Sequence, residues 1–102
     1  MSRRVLWSTD ALEDLKAQIA YIAVHNPDAA QRVADRLRST GEALGEIATG
    51  RPGRVAGVYE KSVTGLPYVI AYALGERGGS VILIVLRVIH TARDWPPGGW
   101  PR

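Results

Sequence analysis

One run near the C-terminus, Val81-Ile-Leu-Ile-Val-Leu-Arg87-Val-Ile-His90, constrains this chain more than any other segment. β-Branched apolar residues at this density have the composition of a strand buried in a sheet. Arg87 and His90 interrupt the run just ahead of a Pro/Gly/Trp-rich tail. An unpaired guanidinium costs several kcal/mol to bury. Arg87 therefore needs a cleft or a partner, with Asp94, Glu60 or a C-terminal carbonyl as candidates. Ideal alternation places Arg87 with Val85 and Ile89 and puts His90 on the opposite face, so a bulge or strand exit is needed to unite them. Polar groups held at the end of a rigid sheet mark the first place to look for function.

The segments before this strand read as a short strand, two helices and further strands. Arg3 to Trp7 is β-compatible, and Ser8-Thr9-Asp10 offers N-cap residues with Glu13 and Asp14 close to the helix N-terminus. Leu12, Leu15, Ile19 and Ile22 follow at helical spacing. Asn26 and Pro27 cap and open a second helix, whose stripe of Ala30, Val33, Leu37, Leu44 and Ile47 runs to Gly50. Within it, Gly41 and Gly45 imply either close approach of another backbone or a broken last turn. Arg51–Arg54 reads as a loop, Val58–Val63 and Tyr68–Leu74 as strands, Gly75–Gly79 as a hairpin loop, and Ser80–His90 as the final strand. The expected fold class is α+β: an N-terminal strand, an antiparallel helical hairpin, then a mainly antiparallel β-sheet.

A length of 102 residues with 46% hydrophobic and 23% charged residues suits one folded domain, 1–102, with 93–102 as its tail. The absence of cysteine excludes disulfides and thiolate metal sites, and two isolated histidines argue against structural zinc. No metal and no cofactor are expected. Val81–Leu86 is too short to span a bilayer, and the N-terminus lacks the apolar run of a signal peptide, so a cytoplasmic location is expected. Residues 1–50 hold six basic and seven acidic residues, net −1, whereas residues 51–102 hold seven and three, net +4. A concentrated positive surface suggests a polyanionic or acidic partner.

Several segments together resemble the RelE/ParE superfamily of bacterial type II toxin–antitoxin toxins, closer to the ParE branch. They are Trp7-Ser8 opening a helix with Leu15, Tyr21-Ile22-Ala23 with Asn26-Pro27-Asp28-Ala29-Ala30, Gly53-Arg54-Val55, Leu66-Pro67-Tyr68-Val69-Ile70-Ala71-Tyr72, and Leu86-Arg87-Val88-Ile89-His90-Thr91-Ala92-Arg93-Asp94-Trp95. The resemblance runs from about Trp7 to Trp95. It implies a growth-inhibiting toxin neutralised by a cognate antitoxin, here expected to be a separate acidic chain contacting Leu12, Leu15, Ile19, Val33 and Leu37. ParE-like members poison DNA gyrase, whereas RelE-like members cut mRNA on the ribosome.

Metal-free RNA cleavage needs a proton acceptor, a proton donor and cations around the phosphate. Arg87 suits a phosphate clamp, and His90 has the right pKa range for an acid or base. Against this, RelE-type enzymes often use a C-terminal tyrosine or His-Tyr pair, yet Thr91 follows His90 and no tyrosine occurs after Tyr72. The leading expectation is a gyrase-binding toxin that uses Arg54, Lys61, Arg87, His90, Arg93 and Trp100, with Trp95 folded back on the core. The alternatives are a ribosome-dependent mRNA endonuclease with Arg87 and His90 as catalytic residues, and a toxin fold that has lost toxicity.

Overall fold

The computed structural model describes residues 3–93, so Asp94, Trp95 and Trp100 lie outside the described residues. The elements run β1 (Arg4–Trp7), α1 (Thr9–Ala23), α2 (Pro27–Ala43), β2 (Arg51–Pro52), β3 (Tyr59–Ser62), β4 (Tyr68–Arg77) and β5 (Ser80–His90). The strands form one sheet in the order β1-β5-β4-β3-β2. β1 runs parallel to β5, and every other pairing is antiparallel. This is the expected α+β arrangement, with the apolar β5 held between β1 and β4.

Local chemistry explains both helix starts. Ser8 accepts the Ala11 N–H at 3.0 Å and Asn26 accepts the Ala29 N–H at 3.0 Å, with Pro27 opening α2. These bonds satisfy donors that the first helical turn leaves orphaned. α2 stops at Ala43, earlier than its apolar stripe suggests, and Leu44 and Gly45 continue as turns. Both glycines are sites of close approach. A Cβ on Gly41 would lie 2.5 Å from the Trp7 ring, and one on Gly45 would lie 2.7 Å from the Arg3 carbonyl oxygen.

Two boundaries differ from expectation. The segment Arg51–Arg54, expected as a loop, contains β2, in which Arg51 and Pro52 pair with Glu60 and Tyr59. Two residues are too few for any periodicity to show. β4 extends to Arg77, so the hairpin loop shrinks to Gly78-Gly79, with φ of 58° and 81°. Two consecutive positive φ values match the twist of a tight hairpin, and glycine supplies them without steric cost.

The helices pack on one face of the sheet. Ala11 of α1 and Leu37 of α2 join Leu44 beyond α2, Ile70 and Tyr72 of β4, and Leu83, Val85 and Val88 of β5 in one buried cluster. On β5 this set does not alternate strictly, because the register shifts: Tyr72 faces Val85 but Ala71 faces Arg87, leaving Leu86 as an extra residue. Such a bulge bends its strand and re-aims the side chains beyond it. It places Val88 and His90 on the helix-facing side with Val85, and Arg87 and Ile89 on the opposite side. Val69, Ala71 and Ile89 on that opposite side are also buried.

Tyr72 is fully buried, stacks on Tyr59 with centroids 5.6 Å apart, and donates its hydroxyl to the Thr49 carbonyl at 2.6 Å. Burial first, and the neighbouring Tyr59 second, raise its pKa above the ordinary value of 10.0, with Arg3 opposing. A raised acid pKa in the folded state means the protonated phenol stabilises below pH 10, and that stability is lost as pH rises through the folded value. Tyr72→Phe is expected to cost about 1 kcal/mol at about pH 8. Denaturant titrations should show this gap to the parent protein narrowing above about pH 10.

Candidate functional site at the end of strand β5

β1 ends at Trp7 opposite Val85, so the β5 backbone beyond that point loses its strand neighbour. The start of α1 takes over. Ser8 N–H donates to the Val85 carbonyl at 2.9 Å, its hydroxyl donates to the Leu86 carbonyl at 2.9 Å, and Asp14 Oδ2 accepts the Val88 N–H at 2.9 Å. Asp14 also grips Arg87 through two bonds, from Nε at 2.8 Å and from Nη2 at 2.9 Å. Their side chains are only 16% and 17% exposed, respectively. Two parallel N–H···O bonds match the planar fork of arginine to a carboxylate. Among the described residues the partner of Arg87 is thus Asp14, whereas Asp94, another expected partner, lies outside them. Glu60, buried, accepts the Arg54 backbone N–H at 3.0 Å instead.

The bulge that could have united Arg87 with His90 precedes both residues, so they remain on opposite faces: Arg87 is opposite Ala71 and His90 opposite Tyr68. The Nε/Nη2 edge that would clamp a phosphate is occupied by Asp14. On the helix side, His90 meets Tyr68 edge-on, with centroids 5.2 Å apart. Its Nδ1 accepts the N–H groups of Ala92 and Arg93, each at 3.2 Å.

Arg93 closes this corner. Its guanidinium donates to Gln18 Oε1 at 2.5 Å and lies 4.1 Å above the Tyr21 ring, a cation–π contact. Gln18 is buried and also accepts the Tyr68 hydroxyl at 3.5 Å. Tyr21, Val33, Leu66, Tyr68, His90 and Arg93 line a cleft of about 390 Å³. The arrangement offers an exposed Tyr21–Arg93 platform with one histidine behind it, which suits recognition of a partner surface.

The other candidate residues do not converge here. Lys61 lies on β3 and lines a separate groove of about 490 Å³ with Arg36, Thr64 and Ile47. Arg54 sits in the turn before β3, and Trp100 lies outside the described residues. Of the proposed antitoxin contacts, Leu12 is exposed and Leu15 and Val33 pack partly buried against the core. Ile19 is half-buried, and Leu37, at 0% exposure, is corrected to an interior residue because it fills the space between α2 and the sheet. Asp14, Gln18 and Tyr21 escaped the sequence reading as site residues. Their spacing of four and three places them along one side of α1, the signal that could have found them. Among the described residues no group of His, Cys, Asp or Glu could hold a metal, and no helix is long and apolar enough to cross a membrane.

Removing one partner of a mostly buried ion pair leaves the other charge uncompensated. Asp14→Ala is expected to cost about 3 kcal/mol in urea unfolding. A double-mutant cycle with Arg87→Ala should show a joint loss well below the sum of the two single losses.

Residues 5–95 match the model of the ParE toxin of the type II toxin–antitoxin system parDE. "Putative toxin Y4kP" of Sinorhizobium fredii is 38% identical over 98 residues, covering 94% of this chain and 97% of that protein. "Toxin RelE2" of Caulobacter vibrioides is 35% identical over 91 residues, covering 88% and 97%. The fold is similar to a chain of the chromosomal ParDE toxin–antitoxin system from P. aeruginosa. That match has a TM-score of 0.79 at 20% identity and covers 87% of this chain and 96% of the other. The chain belongs to the ParE toxin family of type II toxin–antitoxin systems.

Proposed function

We infer that this toxin arrests growth by docking on DNA gyrase, and that an acidic antitoxin neutralises it in the cytoplasm. The observation that carries this reading is the Asp14–Arg87 pair, which commits the fork of the best phosphate-binding arginine to α1 and holds it on the face opposite His90. A nuclease centre needs those groups around one phosphate. A docking protein needs exposed, rigidly held anchors, and the Arg93–Tyr21 stack supplies one beside the positively charged half of the chain. For the antitoxin, Leu12, Tyr21 and Val24 leave α1 with exposed apolar surface, and the net +4 of residues 51–102 favours an acidic chain.

The endonuclease reading has one observation in its favour. The tyrosine that the C-terminal sequence lacks stands beside His90 in space, as Tyr68. The RelE2 relative is compatible with it.

Purified gyrase separates the two readings. Supercoiling is expected to stop, or cleaved DNA to accumulate, on addition of the toxin. Arg93→Ala should weaken this inhibition about tenfold or more, as loss of an interface anchor does, whereas His90→Ala should retain it. Unaffected gyrase, with cellular mRNA cut during translation and that cutting abolished by His90→Ala, would overturn the proposal in favour of the nuclease.

A further inference from the structure

Arg87 and Arg93 both meet α1 near the end of β5, and α1 answers them differently. Asp14 meets Arg87 with a carboxylate, and the pair cancels both charges. One turn further along the helix, Gln18 meets Arg93 with a neutral amide. Arginine has no acceptor, so the amide presents its oxygen, and the Tyr68 hydroxyl donates to the same atom. Gln18 is 7% exposed, which makes this a hydrogen bond from a charged donor to a buried oxygen. The other contact, the stack on Tyr21, stands in water, since Tyr21 is 63% exposed. Cation–π attraction is weak at exposed sites, and a long arginine side chain has many competing rotamers. The buried oxygen is therefore what fixes the guanidinium over the ring. No carboxylate among the described residues pairs with Arg93, so its full positive charge stays at the surface.

We propose that Gln18 is a positioning residue that holds Arg93 in place without neutralising it, and that the guanidinium so presented receives a carboxylate of the target protein. This rests on the reading of the protein as a gyrase-docking toxin and adds the chemistry of its anchor. A carboxylate at position 18 would make the stronger bond to Arg93. It would also cancel the charge that the partner group needs, as Asp14 does for Arg87. An amide forgoes some of that strength and leaves the charge available. Gln18 takes the Nη2 end of the fork, and the remaining N–H groups can meet an incoming carboxylate. A nucleic-acid backbone is held by several cations in a row. Among the described residues lining this cleft, Arg93 is the single arginine or lysine, and Ile22, Val33 and Leu66 offer walls suited to the apolar side chains of a protein.

Three substitutions in the full chain, Gln18→Glu, Gln18→Met and Arg93→Ala, separate positioning from mere support. The ring current of Tyr21 shifts the side-chain proton resonances of Arg93 upfield. This shift is expected to persist in Gln18→Glu and to collapse in Gln18→Met, which keeps the length and loses the oxygen. The unfolding temperature of Gln18→Glu should be no lower than that of the parent. Binding to DNA-free gyrase should nevertheless fall about tenfold in both Gln18 variants, to the level of Arg93→Ala. Adding Gln18→Glu to Arg93→Ala should cost nothing further. Parent-like binding by Gln18→Glu, or an unchanged Arg93 shift in Gln18→Met, would overturn the proposal. So would a loss confined to gyrase carrying DNA, which would make the partner group a phosphate. Gyrase untouched by the unaltered toxin would sink the docking reading and the carboxylate with it, while the Arg93 resonances would still decide the positioning role.

Discussion

The structure depends on how strand β5 is supported where its neighbour stops. β1 accompanies β5 only as far as Val85, and the N–H and C=O groups beyond would otherwise present an open edge. The start of α1 replaces the missing strand with side chains. Ser8 covers the carbonyl of Leu86 while capping its own helix, and Asp14 covers the N–H of Val88 while holding Arg87. One carboxylate thus accepts three hydrogen bonds and ties the first helix to the last strand. The bulge at Leu86 is the backbone adjustment that accompanies the exchange of partner.

This support also shapes the functional corner. With α1 fixed by Asp14, the residues one and two turns further on, Gln18 and Tyr21, are brought to the segment after β5 and receive Arg93. Tyr68 and His90 complete the same wall from the sheet. The family scaffold supplies the rigid end of β5, and the reaction or contact it serves depends on which side chains stand there. Here Arg87 is committed to a structural pair with Asp14, while Arg93 is stacked on Tyr21.

Much of the fold was legible in the sequence because it is written in local chemistry. Ser8 and Asn26 announce helix starts, and the β-branched run of β5 has the composition of a buried strand. What could not be read were features set at long range or below the length of any pattern. The Asp14–Arg87 pair joins residues 73 apart, and a carboxylate in the second turn of a helix gives no local sign of so distant a partner. The bulge leaves no mark in a run where every residue is apolar. β2, with two residues, has no period at all. The same limits applied to the site: His90 and Arg93 stood out as polar residues at a strand end, but Gln18 and Tyr21 became meaningful only when α1 was laid beside that end.

The parallel pairing of the first strand with the last has a consequence for how the toxin comes into being. Ser8 waits for Leu86, a partner 78 residues later in the chain, and β1 has no other strand beside it in the sheet. Synthesis runs from the N-terminus at about 5–20 residues per second, so for several seconds the helical hairpin exists without the strand that holds its base. Folding must therefore await the near-complete chain. The corner built from His90 and Arg93 is thus among the last parts of the toxin to take shape.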